Sequence, residues 1–191
     1  MTGLIKNMPD TALFQTGSGF MGAPWAQSAA GAKAAILGVP FDCGTHAFRI
    51  GSRQGPTAIR EQSRLVRAFE SEVADFDIRE ALGLVDCGDV VLTPGRIVDA
   101  FERIEDAAWR IVEAGASMIG FGGDGSISVP LVRAAARKWP DLCVLHIDSH
   151  TDCHPVDPAD PYNAATQFSH VALEQRISPS ASYHVGIRGT T

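Results

Sequence analysis

Apolar residues in this chain come in short, nearly unbroken runs, alternating with stretches where they recur every three or four positions. The runs at Ala34–Phe41, Gly83–Asp89, Ala116–Phe121, Asp141–Asp148 and Ser182–Arg188 predict five strands, most of them buried on both faces. Between them, Ile97, Ala100, Ile104, Ala107, Ala108, Ile111 and Val112 define one helix face over residues 96–114, with Gly115 as its stop. Gly55-Pro56 marks a turn and then a helix start, predicting a helix from Pro56 through Phe69. Further helices are expected over residues 126–138 and 166–176, with a Pro- and Asp-rich loop over residues 153–163. Residues 1–33 are rich in Gly, Ala, Ser and Pro and hold no period; they are expected to form an N-terminal extension wrapping the domain of residues 34–191. Strand and helix alternate throughout, which predicts an α/β fold: a mainly parallel sheet covered by helices on both faces.

Composition narrows the function without choosing it. The 191 residues are 45% hydrophobic and 20% charged, as in an ordinary globular domain. Lys and Arg number 16 against 22 Asp and Glu, a net charge of −6, which argues against a nucleic-acid partner. No apolar run reaches membrane-spanning length, and the first residues lack the charged head and apolar stretch of a signal peptide. Cys43, Cys87, Cys143 and Cys153 are scattered with no C-x-x-C pair, which fits reduced thiols and a cytoplasmic location.

Two motifs compete for the chemistry. Gly120-Phe-Gly122-Gly-Asp-Gly125 is a literal G-x-G-x-x-G between a strand and a helix, and the next strand ends in Asp148. That arrangement suits a Rossmann-like nucleotide site built on Gly120, Gly122 and Gly125, although glycine-rich turns also arise for steric reasons alone. The second is His146-Ile-Asp148-Ser-His150-Thr-Asp152 at a strand's carboxyl end, where ligands of open α/β sheets bind. Alternate residues share one side, so Asp148, His150 and Asp152 can converge as a mixed oxygen and nitrogen donor set suited to a divalent ion such as Mn²⁺. The plainer alternative is a polar loop, with His146 partly buried and hydrogen-bonded in the sheet.

Taken in order, the two motifs resemble the arginase/agmatinase (ureohydrolase) family, agmatinase-like branch. Gly122-Gly-Asp-Gly-Ser126 stands where the family has Gly-Gly-Asp-His-Ser, and Asp148-Ser-His-Thr-Asp152 where it has Asp-Ala-His-x-Asp. Gly38-Val-Pro-Phe-Asp42, Gly51-Ser-Arg53, Gly55-Pro-Thr-Ala-Ile-Arg60, Asp86-Cys-Gly-Asp89 and Gly186-Ile-Arg-Gly189 run collinear with it, so the likeness covers about residues 20–191.

The resemblance implies a three-layer arginase-like fold, incomplete at its C-terminus, and hydrolysis of a linear guanidino compound to urea and an amine. Agmatine, guanidinobutyrate and guanidinopropionate are the candidate substrates, with water activated between two Mn²⁺ ions. It assigns Asp148 as the bridging metal ligand, His150 and Asp152 as further ligands, and Asp152 also as the proton relay. Asp124 is expected to cap its turn beside the site.

Several departures follow from the same comparison. Gly125 supplies no imidazole, Ala164 stands in place of the histidine of a His-Gly-Thr motif, and the signature Ser-x-Asp-x-Asp-x-x-Asp-Pro is absent from the 191 residues. With three of the family's six metal ligands, residues 1–191 are expected to bind at most one Mn²⁺ weakly and to hydrolyse little agmatine. The alternative is a non-catalytic ureohydrolase homologue or subunit, with the Rossmann-like nucleotide-binding domain third; the expected protein partner is a second copy in a homo-oligomer or a chain that completes the fold.

Overall fold

The computed structural model describes residues 19–42, 50–67 and 75–189. The first part of the N-terminal extension, Cys43 and the expected helix end at Phe69 lie outside them. Strand β1 (Ala34–Val39) is buried at all six positions and is the centre of a parallel sheet in the order β2-β1-β3, with β2 at Val85–Asp89 and β3 at Ser117–Gly122. Its two faces feed two separate cores, as a period of two requires. Ala35, Leu37 and Val39 pack with Phe101, Ile104, Ala108 and Ile111 of helix α3 (Ile97–Glu113). Ala34 and Ile36 pack on the other side with Ala23, Leu84, Phe20 and Phe121. Helix α1 (Gly55–Ser63) closes that second face, with the Arg60 guanidinium 6.0 Å from the Phe121 ring. Helices therefore cover both faces, giving the three-layer α/β/α arrangement.

Residues 19–33 run beside β2. The Ala26 amide donates to the Asp86 carbonyl and the Asp86 amide donates to Pro24, both at 2.9 Å. A short helix not foreseen in the sequence, α2 (Ile78–Leu82), is capped by Asp77, whose carboxylate accepts from the Arg79 amide. Five residues carry too little apolar period to announce themselves. α1 ends at Ser63, earlier than expected, and α3 ends one residue before Ala114, with Gly115 in a left-handed conformation (φ +91°).

The sheet is not one continuous ladder. Strands β4 (Leu145–Ile147) and β5 (Tyr183–Val185) pair with each other in parallel as a separate two-stranded sheet. Among the described residues, neither shares a ladder with β3. Side-chain packing joins the two sheets: α4 (Ser128–Ala136) packs against both α3 and α5 (Gln167–Leu173). The inner face of β4–β5 turns His146 and His184 toward Phe168 of α5, at ring separations of 4.4 and 5.7 Å. The outer face leaves Leu145 and Ile147 exposed at 66% and 75%. Among the described residues, no helix is long and apolar enough to cross a membrane.

Candidate metal centre

The loop leaving β4 folds back on its own strand through Asp148. Its carboxylate accepts from the His150 amide at 2.9 Å, a turn closed by the side chain itself. That N–H is the main reason the Asp148 carboxyl lies below the ordinary carboxylate value. Four residues on, Asp152 adopts a left-handed backbone (φ 51°), uncommon for a residue with a side chain. Two hydrogen bonds from the start of α5 hold it there. The Phe168 amide donates to its carbonyl at 3.2 Å, and Gln167 Nε2 donates to Oδ2 at 2.9 Å. Burial first, and the Asp148 charge second, raise the Asp152 carboxyl above its usual value.

His146 completes the group. Its Nε2 lies 3.9 Å from Asp148 Oδ2 and 3.8 Å from Asp152 Oδ2, and one donor atom from each of the three residues falls within 4.8 Å of the others. The far side of its ring meets His184, Nδ1 to Nδ1, at 3.1 Å. Burial is the leading influence on His146 and keeps its imidazole below the ordinary value, so the neutral ring that binds cations persists to lower pH. A proton placed on His146 Nδ1 would donate to His184 and leave Nε2 a lone pair facing the carboxylates; this tautomer is inferred from the partners.

Of the residues expected from sequence, Asp148 and Asp152 stand together. His150 sits at the rim, 59% exposed, with Nδ1 3.7 Å from Asp148 Oδ1 and 3.0 Å from Ser149 Oγ. The three-donor group takes His146 in its place. The signal for His146 was present, because residues 146, 148, 150 and 152 keep one two-residue step. Gln167 had no such local signal. Asp124 caps its turn as expected, accepting from the Ser126 amide at 2.9 Å and from the Ser126 hydroxyl.

A groove of about 370 Å³ opens beside the site, lined by Ile147, Asp148, Ser149, Val185, Gly186 and Arg188. A larger cavity of about 640 Å³ lies between β2 and α3 and shares none of the three donors.

The glycines of the competing motif are packed against protein. A Cβ at Gly123 would fall 2.3 Å from the Phe41 carbonyl, one at Gly122 2.6 Å from Ile127, and one at Gly125 2.8 Å from Gln167. They allow close approach of neighbouring protein atoms, which explains the motif without a phosphate.

The Arginase family profile matches residues 32–191. The chain belongs to the Arginase family. It is 36% identical over 188 residues to an agmatinase from Photorhabdus laumondii, covering 96% of this chain and 60% of that protein. It therefore spans about 60% of the length of that relative. The solved proclavaminate amidino hydrolase of Streptomyces clavuligerus superposes with a TM-score of 0.85 at 31% identity, over 92% of this chain and 58% of that one. A Trypanosoma cruzi formiminoglutamase structure with Mn²⁺ gives 0.76 at 27% identity, over 91% and 59%. Membership in this family displaces the nucleotide-binding alternative, as the packed glycines do independently.

Proposed function

We propose that this Arginase-family chain carries part of the active site of a Mn²⁺-dependent amidinohydrolase, which hydrolyses a linear guanidino compound such as agmatine to urea and an amine. The observation that carries the reading is the convergence of His146, Asp148 and Asp152 on one point beside an open groove. Two carboxylates and an imidazole suit Mn²⁺, and the Mn²⁺ of the T. cruzi relative supports the choice of metal. When bound, Mn²⁺ supplies Lewis acidity and makes water a usable nucleophile near neutral pH.

The protein's own groups do the rest. Asp148, with its carboxyl held low, stays ionised and offers both oxygens. Asp152, with its carboxyl raised by burial, is the better proton carrier of the two, while its Oδ2 accepts from Gln167 Nε2. Asp148 is the carboxylate that lines the groove, which Arg188 also lines, and can pair with a guanidinium cation there.

The test compares urea release from agmatine, guanidinobutyrate and guanidinopropionate in two forms. One is the 191-residue chain; the other is the same chain extended at Thr191 by the corresponding C-terminal part of the P. laumondii agmatinase. With one donor group, the first is expected to release negligible urea. The extended form is expected to turn over one of the three compounds and to lose that activity in Asp152→Asn. A folded, Mn²⁺-loaded extended form that releases no urea from any of them would overturn the reading.

A further inference from the structure

Gln167 is 3% exposed, yet its carbonyl Oε1 is buried and accepts no hydrogen bond among the described residues. A buried oxygen without a partner is costly and rare in native proteins, and asks for a function. Its amide end is already committed, because Nε2 donates to Asp152 Oδ2. That bond fixes which end is which: turning the carboxamide over would set two oxygens against each other. The carboxamide also fills a specific space. A Cβ built on Gly125 would meet Gln167 Nε2, Oε1 and Cδ at 2.8, 2.9 and 3.2 Å. The absence of a side chain at position 125 therefore admits a polar group from α5 beside Asp152, one of the three donors.

We propose that Gln167 is a fourth member of the cation site, holding Asp152 through Nε2 and offering Oε1 as a neutral oxygen donor from the space left by Gly125. Amide carbonyl oxygens are ordinary ligands of hard divalent ions, and a neutral donor adds no charge beside Asp148 and Asp152. The role rests on the cation-binding reading of His146, Asp148 and Asp152.

The test is Mn²⁺ binding to the 191-residue chain, followed by the electron paramagnetic resonance signal of free Mn²⁺, with the melting temperature of the metal-free protein recorded alongside. Gln167→Met keeps the length of the side chain and removes both polar ends. It is expected to weaken Mn²⁺ binding by about tenfold or more without lowering the metal-free melting temperature. A structural role would lower both together. Gly125→Ala touches no donor but presses on the carboxamide; it is expected to weaken binding in the wild-type background and to have no effect once Gln167 is Met. Unchanged binding in Gln167→Met, or loss of affinity together with melting temperature, would overturn the role of Gln167 alone. Wild-type protein that takes up no Mn²⁺ would overturn the cation site and this role with it.

Discussion

His146 and His184 are register partners on adjacent strands, and their imidazoles meet Nδ1 to Nδ1 at 3.1 Å. The pairing fixes the His146 ring on one side and aims Nε2 at Asp148 and Asp152 on the other. Orienting partners of this kind commonly set metal affinity. His184→Ala is expected to weaken Mn²⁺ binding by about tenfold or more, and His146→Ala to abolish measurable binding. His150→Ala, at the exposed rim, is expected to have the smallest effect of the three. Titrations of the three variants under one buffer check the order; a dominant loss in His150→Ala would show that His150, not His146, is the imidazole ligand.

The Gly125→His substitution separates two effects. An imidazole would add a donor, but its Cβ must displace the Gln167 carboxamide from beside Asp152. Gly125→His is therefore expected to bind Mn²⁺ less well than the double variant Gly125→His with Gln167→Ala. Equal affinity in both would show that the two side chains do not compete.

Asp86 anchors the opposite side of the sheet. It is fully buried and accepts from Arg60 Nε at 2.8 Å, Arg60 Nη2 at 2.9 Å, and the Phe20 and Gly88 amides at 2.9 Å. Removing one partner of a buried pair costs about 3–5 kcal/mol where the other is left stranded, but here Arg60 keeps Asp89 at 2.6 Å. Asp86→Ala is expected to lose up to that order of stability in urea denaturation. A loss within the ~0.5 kcal/mol typical of surface changes would show that the pair does not hold the N-terminal segment.

α5, which carries Gln167 and Phe168, is pinned to α4 at its C-cap by a two-pronged pair: Arg133 Nε to Glu174 Oε2 at 2.8 Å and Arg133 Nη2 to Glu174 Oε1 at 2.5 Å. Burial opposes the Glu174 charge, but Arg133 outweighs it and the carboxyl lies below its ordinary value of 4.5. A lowered carboxyl contributes stability that is present above the unfolded value and disappears as pH falls through the folded one. Wild-type stability should therefore fall below about pH 4.5 more steeply than that of Glu174→Gln. Urea midpoints at several pH values between 3 and 7 read this directly; parallel curves would contradict it.

The fold was legible where local pattern and tertiary role coincide. β1 is buried throughout because its unbroken apolar run serves two cores, and α3 follows its three-and-four spacing to the glycine that ends it. The two-residue step puts His146, Asp148, His150 and Asp152 into one candidate set. β4 ends at Ile147, so it is the turn through Asp148 and the packing of His146 against Phe168 that set His146, Asp148 and Asp152 together and His150 at the rim. Gln167 was not legible, because its place beside Asp152 depends on how α5 packs under a loop fifteen residues earlier. The division into two sheets was hidden for a similar reason, since strand runs show apolarity but not which edges meet.

The central claim is that His146, Asp148 and Asp152 hold one divalent cation. Calorimetric titration of the 191-residue chain with Mn²⁺, wild type beside Asp148→Asn, tests it most directly. One weak site in the wild type, lost in Asp148→Asn with the fold intact by circular dichroism, is the expected result. Two tight sites, or binding that survives Asp148→Asn unchanged, would contradict it.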